Sequence, residues 1–397
     1  MTVAVSGVEF GWGSSGKLSA VLAALRQRTS FPLRFVGLAS GIGRTVLAGH
    51  TVERWYDLPA SPGEVPRAVR DIVRSQGVRA AVVVLDGDIA KALESAGIPT
   101  VFVDSLPFLW TGADRAALPL EVSVYCAQRC VDLPDESRKV LEGVRTLRWV
   151  EAVIDDGAAG ARRPAGGGVP YRRALVSLGG LRAPRLADWT VYPRVVLPAA
   201  LAALASYGVR EAHVAGNLPA GPVAQLVAER PVPLQVTAGP LVHGEFLGML
   251  AGCDVLVASP GLTTLLEAGG MGVPTVCLPP QNLSQIFNGR FHSRAVGAAV
   301  RVTWPADVFR EDQVLAMRAL GGEDSALELI YGGIARSAGE AHGPRTSSAL
   351  GSRLLAALRR SEAGADWGAL TSAVGTGGAA QVAGELLGIL RRVSLPA

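Results

Sequence analysis

DVLVASPGLTTLLEAGGMGVPTVCLPPQNLSQIFN, residues 254–288, decides the fold. Asp254–Ala258 is a short apolar run with alternating β-branched residues, and it stops at Ser259-Pro260-Gly261. Thr263–Gly270 then reads as a helix, Thr275–Leu278 as a second strand and Ser284–Val296 as a second helix. Strand, glycine turn, helix, strand, loop and helix in that order is a parallel α/β unit. Gly261 lets the chain turn sharply. Thr263 and Thr264 follow at a helix N-terminus, where free N–H groups and the positive dipole end favour a diphosphate. Glu267 falls about one turn into the helix, placed to accept hydrogen bonds from the vicinal hydroxyls of a ribose. Gln285 and Asn288, at i and i+3 on the next helix, present amides on one face for a polyhydroxyl ligand.

The same rhythm runs outward in both directions. Upstream, Ala174–Leu178 is a strand closed by Gly179-Gly180, Pro193–Ser206 a helix and Glu211–Ala215 a strand. Gly157–Arg173, GAAGARRPAGGGVPYRR, has no apolar period and reads as a linker. Before it, strands at Thr2–Val8, Leu33–Leu38, Ala80–Leu85 and Thr100–Val103 alternate with helices at Ser15–Arg26, Val65–Gln76 and Ile89–Ala96. Strands apolar on both faces and separated by helices indicate parallel sheets covered on both sides. The reading is two similar α/β domains with a cleft between them: 1–156, a linker at 157–173, and 174–365. Residues 366–397 read as a helical segment that packs back on the N-terminal domain, with Val382, Leu386, Leu387 and Leu390 along one face of its last helix.

Composition excludes several classes. Of 397 residues, 49% are hydrophobic and only 18% charged, which is far from the makeup of disordered chains. The net charge of +4 comes from Arg spread along the chain, Lys occurring only at Lys17, Lys91 and Lys139, so a nucleic-acid surface is not expected. The four cysteines have no zinc-ligand spacing and read as buried thiols in a reducing compartment. Val195–Val209 is the nearest approach to a membrane span, and it carries Pro198 and Tyr207. The start at Val3-Ala4-Val5 lacks the basic segment of a signal peptide. A soluble, cytoplasmic protein is expected, with a homodimer left open.

Gly11-Trp12-Gly13-Ser14-Ser15-Gly16-Lys17 fits G-x-G-x-x-G between a strand and a helix. Phe35–Gly41 holds no acid for a dinucleotide ribose, and Leu18 stands where a phosphate-binding loop needs Ser or Thr, so neither NAD nor ATP is expected. What remains is a glycine loop where a ligand can approach the backbone.

The 254–288 stretch resembles the donor half of GT-B glycosyltransferases, especially the peptidoglycan N-acetylglucosaminyltransferases. The resemblance implies a GT-B fold, two Rossmann-like α/β domains facing a central cleft with C-terminal helices, and a UDP-sugar donor. It implies that Glu267 holds the ribose, that Gly261, Leu262 and Thr263 receive the diphosphate, and that Gln285 and Asn288 face the sugar. Ser177-Leu178-Gly179-Gly180 is similar to the family's first glycine turn, and Gly239-Pro240-Leu241-Val242-His243 to the loop whose backbone reads uracil. The G-G-T-G-G-H loop of the peptidoglycan enzymes is replaced here, which points to a small, soluble acceptor. Val8–Leu18, VEFGWGSSGKL, resembles cytosylglucuronic acid synthases of peptidyl-nucleoside antibiotic pathways, which join glucuronic acid from UDP-glucuronate to N1 of cytosine or hydroxymethylcytosine.

On that reading transfer inverts the sugar, and the nucleophile's proton passes to a base of the N-terminal domain. Glu9 and Asp104, at C-terminal ends of predicted strands, are the candidate catalytic carboxylates, with Asp86 and Asp88 behind them. Phe10, Gly11, Trp12, Gly13 and Ser14 form the expected acceptor loop, and Phe108 and Trp110 are further aromatics for stacking. Arg182, Arg185 or Arg290 is expected to meet a glucuronate carboxylate. No metal or other cofactor is expected. The alternatives are transfer to another small natural product, UDP-sugar epimerisation, or nucleotide-sugar binding without catalysis.

Overall fold

The computed structural model describes residues 1–155, 170–181, 186, 188–217, 220–229, 232–339, 342–362 and 364–394. Most of the expected linker, 157–169, lies outside them, as do Arg182 and Arg185. The chain divides into two compact units, Met1–Asp156 with Ala373–Ala397, and Gly157–Ser372.

The first unit runs β1 (Thr2–Gly7), α1 (Gly13–Arg28), β2 (Arg34–Leu38), β3 (Arg54–Tyr56), α2 (Val65–Gln76), β4 (Val78–Val84), α3 (Gly87–Ser95), β5 (Thr100–Asp104), β6 (Val124–Gln128), α4 (Asp135–Leu141) and β7 (Leu147–Val150). Its seven strands are ordered β3-β2-β1-β4-β5-β6-β7, all parallel. Successive side chains of each strand enter opposite cores, as the pleat requires. Val3, Val5, Val82, Val84, Val101 and Val103 lie in one, Ala4, Ala81, Val83 and Phe102 in the other.

The second unit holds β8 (Arg173–Gly179), α5 (Val191–Tyr207), β9 (Glu211–Gly216), α6 (Ala220–Glu229), β10 (Gln235–Gly239), α7 (His243–Gly252), β11 (Val255–Ala258), α8 (Leu262–Met271), β12 (Thr275–Cys277), α9 (Leu283–Ala295), α10 (Glu311–Ser337) and α11 (Gly343–Ser361). Its sheet is also parallel, ordered β10-β9-β8-β11-β12. Among the described residues, no helix is long and apolar enough to cross a membrane.

The C-terminal stretch divides between the units. Trp367 stacks on His292, and Thr371 Oγ1 donates to Leu266 O at 2.8 Å, so residues 366–372 belong with the second unit. A short helix α12 (Ala369–Val374) then leads to α13 (Gly378–Ser394). The apolar stripe of α13, Val382, Leu386, Leu387 and Leu390, is buried with α1 against the first unit's sheet. Its entry is pinned at Glu151, whose Oε2 accepts from Gly377 N at 2.8 Å and whose N donates to Gln381 Oε1 at 2.8 Å.

At Gly378 an added Cβ would stand 2.1 Å from Glu151 O and 2.7 Å from Ala152 O, both backbone atoms with little freedom to yield. Gly378→Ala is therefore expected to cost about 1–3 kcal/mol through overpacking. Urea unfolding should show a lower midpoint with the slope unchanged.

Candidate functional site

In each sheet the strand order reverses once, between β1 and β4 and between β8 and β11. Helices that follow neighbouring strands there depart to opposite faces, leaving a crevice beyond the strands' C-terminal ends. The candidate residues gather at these two places, each within its own unit.

In the second unit the crevice is bounded by Gly179-Gly180 after β8 and Ser259-Pro260-Gly261 after β11. Gly180 is half-buried, and Gly179 before it has φ 65°. Gly261 is the N-cap of α8, but with φ −71° and ψ 129° it adopts a conformation open to any residue. The sharp turn expected of it is therefore not what requires a glycine. A Cβ there would meet only Ser259 O, at 3.9 Å, so the absent side chain leaves open space beside the helix start. Among the described residues no side chain caps α8, and no acid lies in its first turn. The N–H groups of Leu262, Thr263 and Thr264 thus form an anion-receptive end. The start of α9 is closed by contrast, because Asn282 Oδ1 accepts from Gln285 N at 3.0 Å.

Behind this turn several polar side chains bond backbone. Asn288, 1% exposed, donates from Nδ2 to Pro260 O at 3.0 Å. Gln285 Oε1 accepts from Gln281 N at 2.9 Å. Each amide expected to face a sugar holds a loop, after β11 or β12, with one of its two polar atoms, and Asn288 Oδ1 is buried with no hydrogen-bond partner among the described residues. Tyr192 braces the same loops, its hydroxyl donating to Pro279 O at 2.7 Å and lying 3.0 Å from Ser259 Oγ. Val242 precedes α7 as its N-cap, and His243 opens the helix. His243 Nε2 lies 2.7 Å from Glu267 Oε1, with both residues buried. Arg290 is held by Glu311, Nη2 to Oε2 at 2.8 Å, and Arg301 shares that carboxylate, so Arg290 already has a carboxylate partner within the second unit.

In the first unit, Glu9 is exposed at the β1 end, and its Oε1 accepts from Gly41 N at 2.5 Å. Phe10 is half-buried, and Gly11 turns the chain with φ 70°. Trp12 donates its indole N–H to Ile42 O at 2.8 Å. Gly13 is exposed as the first residue of α1, and buried Ser14 donates to Val8 O at 2.7 Å. Lys17 is 1% exposed and donates to Gln128 Oε1 at 3.1 Å, so its ammonium is turned into the core and away from the glycine loop.

Asp104 is fully buried. Its Oδ1 accepts from Leu106 N at 2.9 Å, and its Oδ2 from Trp110 Nε1 at 2.6 Å and Tyr125 Oη at 2.8 Å. Burial lifts its pKa to about 6, with the three donors acting against the rise. Both oxygens being occupied and no atom exposed, Asp104 organises the 105–110 loop. Trp110 is thereby engaged, and Phe108 lies in the core. Asp86 caps α3 through Ile89 N at 3.1 Å, and Asp88 pairs with Lys91.

Three non-glycine residues at this sheet edge have left-handed backbone: Ala39 (φ 51°), Ser40 (φ 60°) and Leu85 (φ 62°). Each costs on the order of 1 kcal/mol or more, and such strain concentrates at functional sites. Ser40 is locked by Gly7, whose N donates to Ser40 Oγ at 2.8 Å. Nothing in the sequence signals this cluster, since Ala, Ser and Leu carry no preference for positive φ. The His243–Glu267 bond was likewise not legible, because 24 residues separate its partners.

No protein-family model matches this chain, and no curated protein matches it. Solved structures do. A Listeria monocytogenes protein assigned as a UDP-N-acetylglucosamine 2-epimerase aligns over 90% of this chain and 96% of its own, at TM-score 0.52 and 13% identity. Arabidopsis thaliana UGT89C1 complexed with UDP aligns over 89% and 99%, at 0.51 and 14%. A Polygonum tinctorium UDP-glucosyltransferase capable of glucosylating indoxyl aligns over 91% and 98%, at 0.50 and 14%. The two parallel-sheet α/β units are those of the GT-B fold.

Two outcomes are expected. Gly261→Ala fits its backbone and the space for its Cβ, so thermal stability should hold within about 0.5 kcal/mol. Binding of pyrophosphate or UDP, measured by calorimetry, should weaken at least tenfold; unchanged affinity would remove the α8 terminus as an anion site. For Asp104, a folded pKa above the unfolded value means stability present below about pH 4 and lost as pH rises through about 6. Asp104→Asn should flatten that loss. Its stability relative to the parent should improve by roughly 2–3 kcal/mol between pH 4 and 7, read from urea melts.

Proposed function

We propose that this chain is an inverting glycosyltransferase that uses a UDP-sugar. The observation that carries the reading is the uncapped N-terminus of α8 at the β8–β11 reversal, with the buried Glu267 one and a half turns further along the same helix. A diphosphate on the Leu262, Thr263 and Thr264 N–H groups places the attached ribose within reach of a carboxylate that accepts hydroxyl protons. The same N–H groups stabilise the charge that grows on UDP as it leaves. Val242, ahead of α7, is the backbone position proposed to read the base.

The acceptor belongs to the first unit, where the Phe10–Ser14 loop offers a half-buried aromatic pair, Phe10 and Trp12. Glu9, exposed and held by Gly41 N, is the proposed general base. Its VEFGWGSSGKL context supports the finer assignment, glucuronosyl transfer from UDP-glucuronate to N1 of cytosine or hydroxymethylcytosine. In that step the N1–H proton passes to Glu9, the C1′–N1 bond forms and the C1′–O bond to UDP breaks. A cationic partner for the glucuronate carboxylate falls to Arg182 or Arg185, both outside the described residues.

The test is mass-spectrometric product analysis with UDP-glucuronate, with and without cytosine. A cytosine-dependent product carrying one glucuronosyl unit, with UDP released, is expected. Glu9→Gln should lower its formation by 10²-fold or more while UDP affinity stays unchanged. Conversion of UDP-N-acetylglucosamine without any acceptor would establish epimerisation instead, and tight UDP binding with no turnover would establish a binding protein.

A further inference from the structure

We infer that His243 is the positioning residue of the nucleotide site, and that through Glu267 it sets discrimination between ribose and deoxyribose in the ligand. The inference rests on the reading of Glu267 as the ribose acceptor.

Glu267 is 3% exposed and His243 7%. Among the described residues, no Lys or Arg lies within ion-pair distance of that carboxylate, and His243 is its recorded partner. A buried carboxylate needs a donor. The imidazole supplies one in the tautomer with its hydrogen on Nε2, which lies 2.7 Å from Oε1. The bond takes one oxygen and leaves Oε2, for which the structure records no bond among the described residues. Glu267 is thus held in one rotamer with one acceptor to offer.

The position of His243 matters as much as its chemistry. It is the first residue of α7, directly after the Gly239–Val242 loop, while Glu267 lies on α8. One short bond ties the base-reading loop to the ribose-reading side chain and fixes the spacing between them. A nucleoside whose sugar lacks a hydroxyl would leave Oε2 buried and unpaired, which is the costly outcome that creates selectivity.

Calorimetric binding of UDP, 2′-deoxy-UDP and 3′-deoxy-UDP to the full chain tests this, with thermal melting run in parallel. The parent protein should favour UDP over at least one deoxy analogue by about tenfold. His243→Leu should reduce the ratio to about twofold, whereas His243→Gln, which restores an N–H of similar reach, should recover most of it. A general structural role would weaken all three ligands equally and leave the ratio intact, and that result overturns the inference. If the Leu variant does not fold, His243→Asn, whose amide is too short to reach Oε1, provides the same reading. Glu267→Ala separates the two levels. Lost discrimination in Glu267→Ala with retained discrimination in the His243 variants removes only the role of His243. Retained discrimination in Glu267→Ala removes the ribose assignment itself.

Discussion

Parallel pairing is the constraint from which the rest of this structure follows. A parallel neighbour cannot be reached by a hairpin, so each crossover must pass over a face of the sheet, and helices that follow strands begin at the same edge. Strand C-termini, helix N-termini and the loops between them therefore collect on one side of each sheet. Where the order reverses, at β1/β4 and β8/β11, the crossovers part and the backbone is left open. The Glu9–Ser14 loop and the Gly261 turn occupy these two places.

Keeping these edges open carries a stability cost that other contacts offset. A side-chain cap contributes about 1 kcal/mol to a helix. Asp86 supplies one to α3 and Asn282 one to α9; among the described residues α1 and α8 have none, as is also true of α2, α5, α7 and α11. Ala39, Ser40 and Leu85 hold left-handed backbone around the first crevice. Against this stand two apolar cores on the first sheet, one of them closed by α13, and the mesh of Tyr192, Gln281, Gln285 and Asn288 bonds on the second. Buried ionisable groups add opposing pH dependences. Burial lowers the pKa of His292 to about 4, so its contribution is lost as pH falls below about 6.5, whereas that of Asp104 is lost as pH rises toward 6.

Much of the architecture was legible because long apolar periods survive any tertiary context. Val65–Gln76 is a helix with the predicted bounds, and the strands and helices of 254–288 lie within a few residues of expectation. The strands not expected were β3, β6, β7 and β10. Three of these are sheet edges of three to five residues, partly exposed, where a single neighbour imposes little pattern. The fourth, Val124–Gln128, is fully buried but too short for its period to separate from the surrounding loop. Site residues were legible by type and place along the chain, not by what each would touch. Gln285 and Asn288 look like ligand amides in sequence, and the fold also spends one polar atom of each on backbone; Asp104 looks like a base, and the fold encloses it between Trp110 and Tyr125.

By itself the sequence determined the α/β alternation and the approximate helix starts, because these depend on local periodicity and on residues near in the chain. Only the tertiary structure decided that Lys17 turns into the core, that Glu9 stays exposed while Asp104 does not, and that His243 grips Glu267. Burial and the partner of a charged group are set by what the fold brings from far along the chain. An isolated side chain carries no record of either.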